Sequence, residues 1–273
     1  MSTGYTPITG SGNTILDKIV VQKHKEVLEA RQNTPIIRLE ESEYFHRECY
    51  SIRQFILDPE RTGIIAEFKR ASPSKGVINS EVFVSDVTQD YANAGASALS
   101  ILTDQKFFGG HMEDVLQARP LNQIPILRKE FILDEYQILE AKSIGADIIL
   151  LIAAILSPEQ VAQFAKLAKS IGLNVLLEVH NAAELEHTIC DDLDAIGVNN
   201  RNLADFSVSL QHSYDLVNLI PDQFLKISES GISNPATIKD LKKAGFNGFL
   251  IGENFMREKD PGAAIQQFVA QLK

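Results

Sequence analysis

The sequence predicts an α/β fold: a (β/α)8 TIM barrel with an N-terminal helical extension. Three observations lead there. First, four segments share one punctuation: a helix-like stretch, a glycine, one or two residues, then an apolar run. They are NAGASALSIL around Gly95, SIGADIILLI around Gly145, SIGLNVLLEV around Gly172 and KAGFNGFLIG around Gly245. A glycine there supplies the left-handed residue that ends a helix. The unbroken apolar run is a strand buried on both faces, as in a parallel sheet. Second, these glycines lie 50, 27 and 73 residues apart, close to two, one and three multiples of about 25, the length of one strand-plus-helix unit. Third, Ser157-Pro158-Glu159, Asn234-Pro235 and Asp260-Pro261 each put a capping side chain before a proline at the first helical position.

The elements follow in order. Residues 1–13 are polar and glycine-rich, the composition of a disordered N-terminus. Residues 14–58 form the helical extension, with helices expected around 15–30 and 43–57 and Thr14 as a cap for the first. Strands are placed near 64–69, 98–102, 125–129, 147–152, 174–179, 195–199, 225–229 and 248–251. Between them the pattern turns amphipathic: after Ser157, Val161, Phe164, Ala165, Ala168 and Ile171 share one face at a 3.6-residue period. No linker-like stretch divides 59–273, so these residues read as one catalytic domain. A doubly wound open sheet is the alternative, weakened because no G-x-G-x-x-G turn follows the first strand.

Composition narrows the function classes. The chain has 273 residues, 44% of them hydrophobic, enough for a large core. A net charge of −10 and a pI near 5.1 argue against a nucleic-acid partner. No run of about 18 apolar residues predicts a membrane span, and the N-terminus lacks the charged and apolar regions of a signal peptide. Cys49 and Cys190 read as small apolar fillers without metal spacing, which fits a reducing cytoplasm. The six histidines (24, 46, 111, 180, 187 and 212) are scattered, so no metal site is expected. His180 reads as a rim residue.

In barrel enzymes chemistry sits at the C-terminal ends of the strands. Here the first strand ends in Glu67 and Lys69, which share a face because they are two residues apart. The third ends in Lys129 and Glu130, and the fifth carries Glu178 inside VLLEV. The sixth ends in Asn199, Asn200 and Arg201, the seventh in Glu229, Ser230 and Gly231, the eighth in Gly252, Glu253 and Asn254. A carboxylate inside an apolar strand is costly unless paired, and the lysines of strands one and three could pair with Glu178. Charged rim residues are ordinary singly; a whole ring of them is not.

Loops after strands seven and eight often bind phosphate through backbone N–H groups. Ser230-Gly231 and Gly252-Glu253-Asn254 occupy those places, and Ser72-Pro73-Ser74-Lys75-Gly76 could add a hydroxyl and a cation. Ordinary turn chemistry is the competing explanation. Phe107-Phe108-Gly109-Gly110 reads either as a mobile aromatic lid or as packing. No Ser-His-Asp pattern or nucleophile elbow is present.

Together IIAEFKRASPSKG, LRKEFI, LLEVHN, GVNNRNL, SESGI and LIGENFMR resemble the indole-3-glycerol-phosphate synthase family, over about residues 15–270. The resemblance implies a (β/α)8 barrel with a helical extension that helps cover the site. It implies conversion of 1-(2-carboxyphenylamino)-1-deoxyribulose 5-phosphate to indole-3-glycerol phosphate, CO2 and water in tryptophan biosynthesis, with no cofactor or metal. The one expected partner is that phosphosugar. A monomer is expected, with a weak homodimer as the alternative. The chain ends just after its eighth expected helix, so one activity is expected rather than two.

The resemblance also assigns roles. Lys129 resembles the general acid that protonates the ribulose carbonyl, Lys69 the group that pairs with the substrate carboxylate, and Glu178 the acid–base group of the dehydration. Glu67 and Asn199 resemble residues that hold the lysines and the substrate hydroxyls. Phosphate binding carries over to Ser72, Gly231, Gly252 and Glu253, with Glu229 and Ser230 in the same loop region. Arg201, Phe108 and Phe131 resemble walls around the anthranilate ring. Some family members have serine where Glu253 stands. A carboxylate repels phosphate, so only the Glu253 backbone is expected to take part.

An acid working near neutral pH wants a matching pKa. A lysine starts near 10.4 and falls when buried beside another cation, so the lysine pair is expected to be lowered, with Glu67 and Glu178 limiting the repulsion. Two other readings stay open at this point: a Schiff-base aldolase using Lys129 or Lys69, and a non-catalytic phosphosugar-binding barrel. A related isomerase of the same pathway would share the barrel without needing the lysine pair.

Overall fold

A computed structural model describes residues 14–202 and 205–272. The expected disordered segment, 1–13, lies outside the described residues. Eight parallel strands close into a barrel: β1 (Ile64–Phe68), β2 (Ala98–Leu102), β3 (Ile126–Lys129), β4 (Ile148–Ile152), β5 (Asn174–Val179), β6 (Ala195–Asn199), β7 (Leu225–Glu229) and β8 (Gly248–Ile251). Each pairs with the next in sequence. The ring shuts where Ile64, Ile65 and Ala66 pair with Phe249, Leu250 and Ile251. Gly95, Gly145, Gly172 and Gly245 all have positive φ, from 81° to 115°, as the shared punctuation requires.

Alternation along each strand splits the core in two. Ile65, Leu127, Leu150, Leu176, Ile227 and Leu250 fill the barrel interior. Ile64, Ala66, Phe68 and their counterparts face the helices outside. In β1 this alternation turns Glu67 inward, and the same parity carries to Lys69 just past its end.

The extension departs from the expected pair of helices. Helix α1 (Ile15–Asn33) is longer than expected and starts with a full capping box between Thr14 and Asp17. Two short helices follow, α2 (Ile36–Glu40) and α3 (Ile52–Leu57). The single helix expected over 43–57 is therefore corrected: residues 41–50 are turns and extended chain. Their backbone is claimed by the barrel base. Asp147 accepts the Tyr50 N–H at 2.8 Å, Asn174 donates to the Tyr50 carbonyl at 2.9 Å and Lys142 to the Arg47 carbonyl at 2.7 Å. Those groups are then unavailable to a helical ladder. Helix α3 drives Ile52 and Ile56 into the bottom of the barrel core. Cys49 is more than apolar filler, since Lys142 Nζ lies 3.0 Å from its sulfur.

The mouth carries two further small elements. Residues 71–72 and 76–77 pair as a two-stranded ribbon after β1. After helix α4 (Val84–Asn93) and β2, helix α5 (Gln105–Phe108) starts from an Asp104 cap, followed by α6 (Met112–Ala118). Helices α7 (Glu135–Ser143), α8 (Pro158–Ser170), α9 (Ala182–Thr188), α10 (Gln211–Leu216) and α11 (Pro235–Ala244) follow β3 to β7. Helices α12 (Glu253–Met256) and α13 (Pro261–Ala270) follow β8. Among the described residues no helix is long and apolar enough to cross a membrane.

Candidate active site

The strand-end residues converge as expected on one cavity at the C-terminal mouth. Glu67, Lys69, Lys129, Glu178, Asn199 and Glu229 form its floor. Leu150, Ile152 and Leu250 add apolar surface, and Ile15, Leu16 and Ile19 of α1 wall one side. Phe108 and Phe131 meet with ring centroids 5.9 Å apart; both, with Ser72, line the same cavity. Phe108 therefore packs as a wall of the site. A second lobe is lined by Lys75, Ser230, Gly231, Gly252, Glu253 and Arg257.

The charges are paired one to one. Lys69 Nζ lies 2.7 Å from Glu67 Oε1, and Ser100 donates to the other Glu67 oxygen at 3.3 Å. Lys129 Nζ lies 3.1 Å from Glu178 Oε2 and 3.6 Å from Glu229 Oε2. Asn199 donates to Glu178 Oε1 at 3.1 Å and accepts the Arg201 backbone N–H at 3.0 Å. The pairing of Glu178 with a lysine is thus made by Lys129, while Lys69 has its own carboxylate.

This arrangement corrects the expected downward shift for Lys129. Burial works against the Lys129 charge, but the carboxylates around it, Glu178 foremost, outweigh it and hold Lys129 above the ordinary lysine range. The neighbours that count are carboxylates, not the second lysine. Burial also opposes the Glu67 and Glu178 charges. Lys69 and Lys129 nevertheless bring Glu67 below its usual value. Lys129, His180 and Asn199 bring Glu178 down to about 2.

Glu229 behaves oppositely. It is 1% exposed, and among the described residues neither of its oxygens has a hydrogen-bond partner. Burial and the charges of Glu178 and Glu67 push it up to about 8 against the pull of Lys129. At neutral pH it carries its proton, so Glu178 and Glu67 are the carboxylates that keep Lys129 charged. Gly197 on β6 makes room for Glu229, because a Cβ there would overlap its carboxyl.

The second lobe is built for close backbone approach. Ser230 and Gly231 are both left-handed, at φ 67° and 78°. A Cβ on Gly231 would lie 2.6 Å from Val208, and one on Gly252 would lie 2.5 Å from Glu67 Oε1. Glu253 does not face the lobe as an unpaired charge. Its carboxylate sits 3.2 Å from Arg201 Nη2 and 3.8 Å from Lys75 Nζ. Arg201 is therefore tied to the second lobe as well as lining the first cavity.

His180 is not the rim residue expected from its place after β5: its side chain is 13% exposed and lies 3.6 Å from Glu178. Glu130, next to Lys129, joins Lys23 of α1 at 2.9 Å. The apolar wall from α1 was not assigned by residue in the sequence, although the cover it provides was expected. Its signal is the apolar spacing Ile15, Leu16, Ile19 beside the Thr14 cap. Among the described residues no group of three His, Cys, Asp or Glu side chains is arranged to hold a metal ion.

Known proteins resemble this chain over nearly its whole length. The family model described as indole-3-glycerol phosphate synthase matches residues 16–268. Indole-3-glycerol phosphate synthase of Bacteroides thetaiotaomicron is 46% identical over 259 residues, covering 95% of this chain and 99% of that protein. The Polaromonas sp. protein of the same name is 42% identical, covering 93% of this chain and 97% of its own. Among solved structures, tryptophan synthase subunit alpha from Legionella pneumophila superposes with a TM-score of 0.59 at 13% identity, over 81% of this chain and 96% of that one. The 3-hexulose-6-phosphate synthase of Salmonella typhimurium gives 0.59 at 13% identity, over 77% and 99%. Those two likenesses speak to the barrel alone. The family match and the relatives, spanning nearly the whole chain, establish that this protein belongs to the indole-3-glycerol phosphate synthase family.

Proposed function

We propose that this chain converts 1-(2-carboxyphenylamino)-1-deoxyribulose 5-phosphate to indole-3-glycerol phosphate, CO2 and water, using Lys129 as general acid. The observation that carries the reading is the Lys129 ammonium, mostly but not fully buried, 3.1 Å from Glu178 and open to a cavity with apolar walls. When the ring carbon bearing the carboxylate attacks the ribulose carbonyl, charge develops on the carbonyl oxygen. An alkoxide is far more basic than any ammonium, so Lys129 can protonate it although its own proton is tightly held. The low dielectric of the walled cavity strengthens this interaction.

Lys69 pairs with the substrate carboxylate and steers its loss as CO2, with Glu67 holding the ammonium in place. Glu178 takes the proton from the methylene carbon beside the nitrogen and passes it to the departing hydroxyl, which leaves as water, and Asn199 orients the carboxylate. Phe108, Phe131 and Arg201 flank the anthranilate ring, with the α1 side chains. Ser72, Gly231, Gly252 and the Glu253 backbone hold the phosphate, and Ser230 belongs to the same turn. Glu229, neutral near pH 7, offers a hydrogen bond to a substrate oxygen. One catalytic domain, 59–273, does this under the cover of the extension, 14–58. The reading includes a monomer, with a weak homodimer as the alternative, in a reducing cytoplasm where Cys49 and Cys190 remain thiols.

The chain contains no tryptophan, so an indole product emits over a tyrosine-only background. Purified protein is given the carboxyphenylamino-deoxyribulose phosphate in EDTA. An indole emission rise that is lost in Lys129→Ala supports the reading. Substrate binding without a rise would leave a phosphosugar-binding barrel. An adduct trapped by borohydride on Lys129 or Lys69 would favour an aldolase instead.

A further inference from the structure

Beside Glu178 the reaction above leaves a largely buried titratable side chain unused. His180 follows β5, two residues beyond Glu178. Its Nε2 lies 3.6 Å from Glu178 Oε1 and, among the described residues, has no hydrogen-bond partner. Its Nδ1 lies 3.2 Å from Glu184 Oε2, and that same oxygen accepts the His180 backbone N–H at 2.8 Å. Glu184 is itself fixed. Its other oxygen accepts from Asn181 Nδ2 at 2.8 Å, and its backbone N–H donates to Asn181 Oδ1 at 2.9 Å. Asn181 is the N-cap of α9 and Glu184 lies in its first turn. The imidazole is thus clamped through one ring nitrogen and aimed through the other at the carboxylate assigned the proton-transfer work. A histidine that merely fills the rim needs neither feature.

We propose that His180, clamped by Glu184, is a positioning residue for Glu178 that keeps its carboxylate in place and charged for each turnover. The inference rests on the synthase reading, which gives Glu178 its acid–base role. A partner that fixes one imidazole nitrogen sets the direction and basicity of the other. The titratable groups facing His180 are Glu178 on β5, Glu184 on α9 and Glu229 on β7, and Lys129 faces Glu178 from β3. Burial disfavours the imidazolium, but the Glu184 hydrogen bond and the charges of Glu178 and Glu184 outweigh it. His180 therefore stays cationic above the ordinary imidazole range and supports the Glu178 carboxylate until pH rises through that raised value.

The test is the pH profile of kcat for the full chain as wild type, His180→Asn, Glu184→Gln, the double variant and Glu178→Gln. Wild type should show a downward step as His180 loses its charge, separate from any step due to Glu229. His180→Asn should lack that step and, below it, run roughly tenfold slower, with KM little changed. Glu184→Gln should move the step to lower pH, and the double variant should match His180→Asn. Glu184→Gln alters a partly exposed side chain and keeps its shape, so it reports even where His180→Asn folds poorly. A His180→Asn profile that superimposes on wild type, or is scaled by one factor at every pH, overturns the proposal. Glu178→Gln separates the two layers. If it keeps kcat, the synthase reading of Glu178 fails; if it loses kcat while His180→Asn tracks wild type, only the His180 inference fails.

Discussion

Lys129 and Glu229 face each other at 3.6 Å, yet Glu229 takes no hydrogen bond from any described residue. Glu178 holds the closer place on the ammonium, at 3.1 Å. Two buried carboxyls beside one cation cannot both ionise cheaply. The division of labour follows: Glu178 is charged, and Glu229 is a neutral acid.

That division has a measurable pH signature. Glu229 starts near 4.3 in the unfolded chain and is raised to about 8 in the folded one. Between these values the folded state binds the extra proton, so stability falls as pH rises through the window. Wild-type Tm should therefore decline from about pH 5 to about pH 9. Glu229→Gln should flatten this slope and be the more stable protein at the alkaline end. An equally steep decline in the variant would show that Glu229 is ionised throughout.

Lys129→Ala should lose roughly 10²–10⁴ in kcat, the range of general acid catalysis. It should also leave the buried Glu178 carboxylate without its ammonium partner, lowering Tm. Near-normal kcat in steady-state assays would remove Lys129 from the acid role.

Gly252→Ala places a Cβ 2.5 Å from Glu67 Oε1 and 2.8 Å from Glu67 Cβ. The second contact is not with a flexible end, so the strand itself must shift. A destabilisation of roughly 1–3 kcal/mol is expected from such overpacking. Because Glu67 holds Lys69, kcat should fall along with phosphate-dependent binding. Urea unfolding and competition by inorganic phosphate read the two effects separately.

Lys23→Met tests the attachment of the cover. Lys23 is 4% exposed and pairs with Asp104 at 3.0 Å and Glu130 at 2.9 Å. Removing it strands two buried carboxylates, at a cost of roughly 3–5 kcal/mol. The wall made by Ile15, Leu16 and Ile19 should loosen, raising KM more than it lowers kcat. An unchanged Tm would mean those carboxylates find another partner.

The barrel was legible because its signals are local. Gly95, Gly145, Gly172 and Gly245 mark helix ends whatever the tertiary contacts, and an apolar run such as IILLI can only be core. Glu178 was legible for the opposite reason, as a carboxylate that VLLEV cannot bury alone. The turns at 41–50 were not legible, because what prevents a helix there is Asp147, Asn174 and Lys142, all about a hundred residues away. The lysine environment was misjudged for a similar reason. The sequence shows that Lys69 and Lys129 share a mouth, but not that Glu67 lies 2.7 Å from one ammonium and Glu178 3.1 Å from the other. His180 reads as a rim residue although its clamp is local: Asn181 caps α9 three residues before Glu184, the spacing that turns Glu184 back onto His180.

The Lys23 anchor also sets a timetable for synthesis. Asp104 and Glu130 leave the ribosome 81 and 107 residues after Lys23. At about 5–20 residues per second, α1 waits roughly 4–20 s for its partners. Through that interval Leu16, Ile19 and Val20, all buried in the finished fold, have no barrel to close upon. Ribosome-stalled chains should accordingly protect α1 from proteolysis only once Glu130 has emerged. Helix α1 is then left unseated until nearly half of the 273-residue chain has been made.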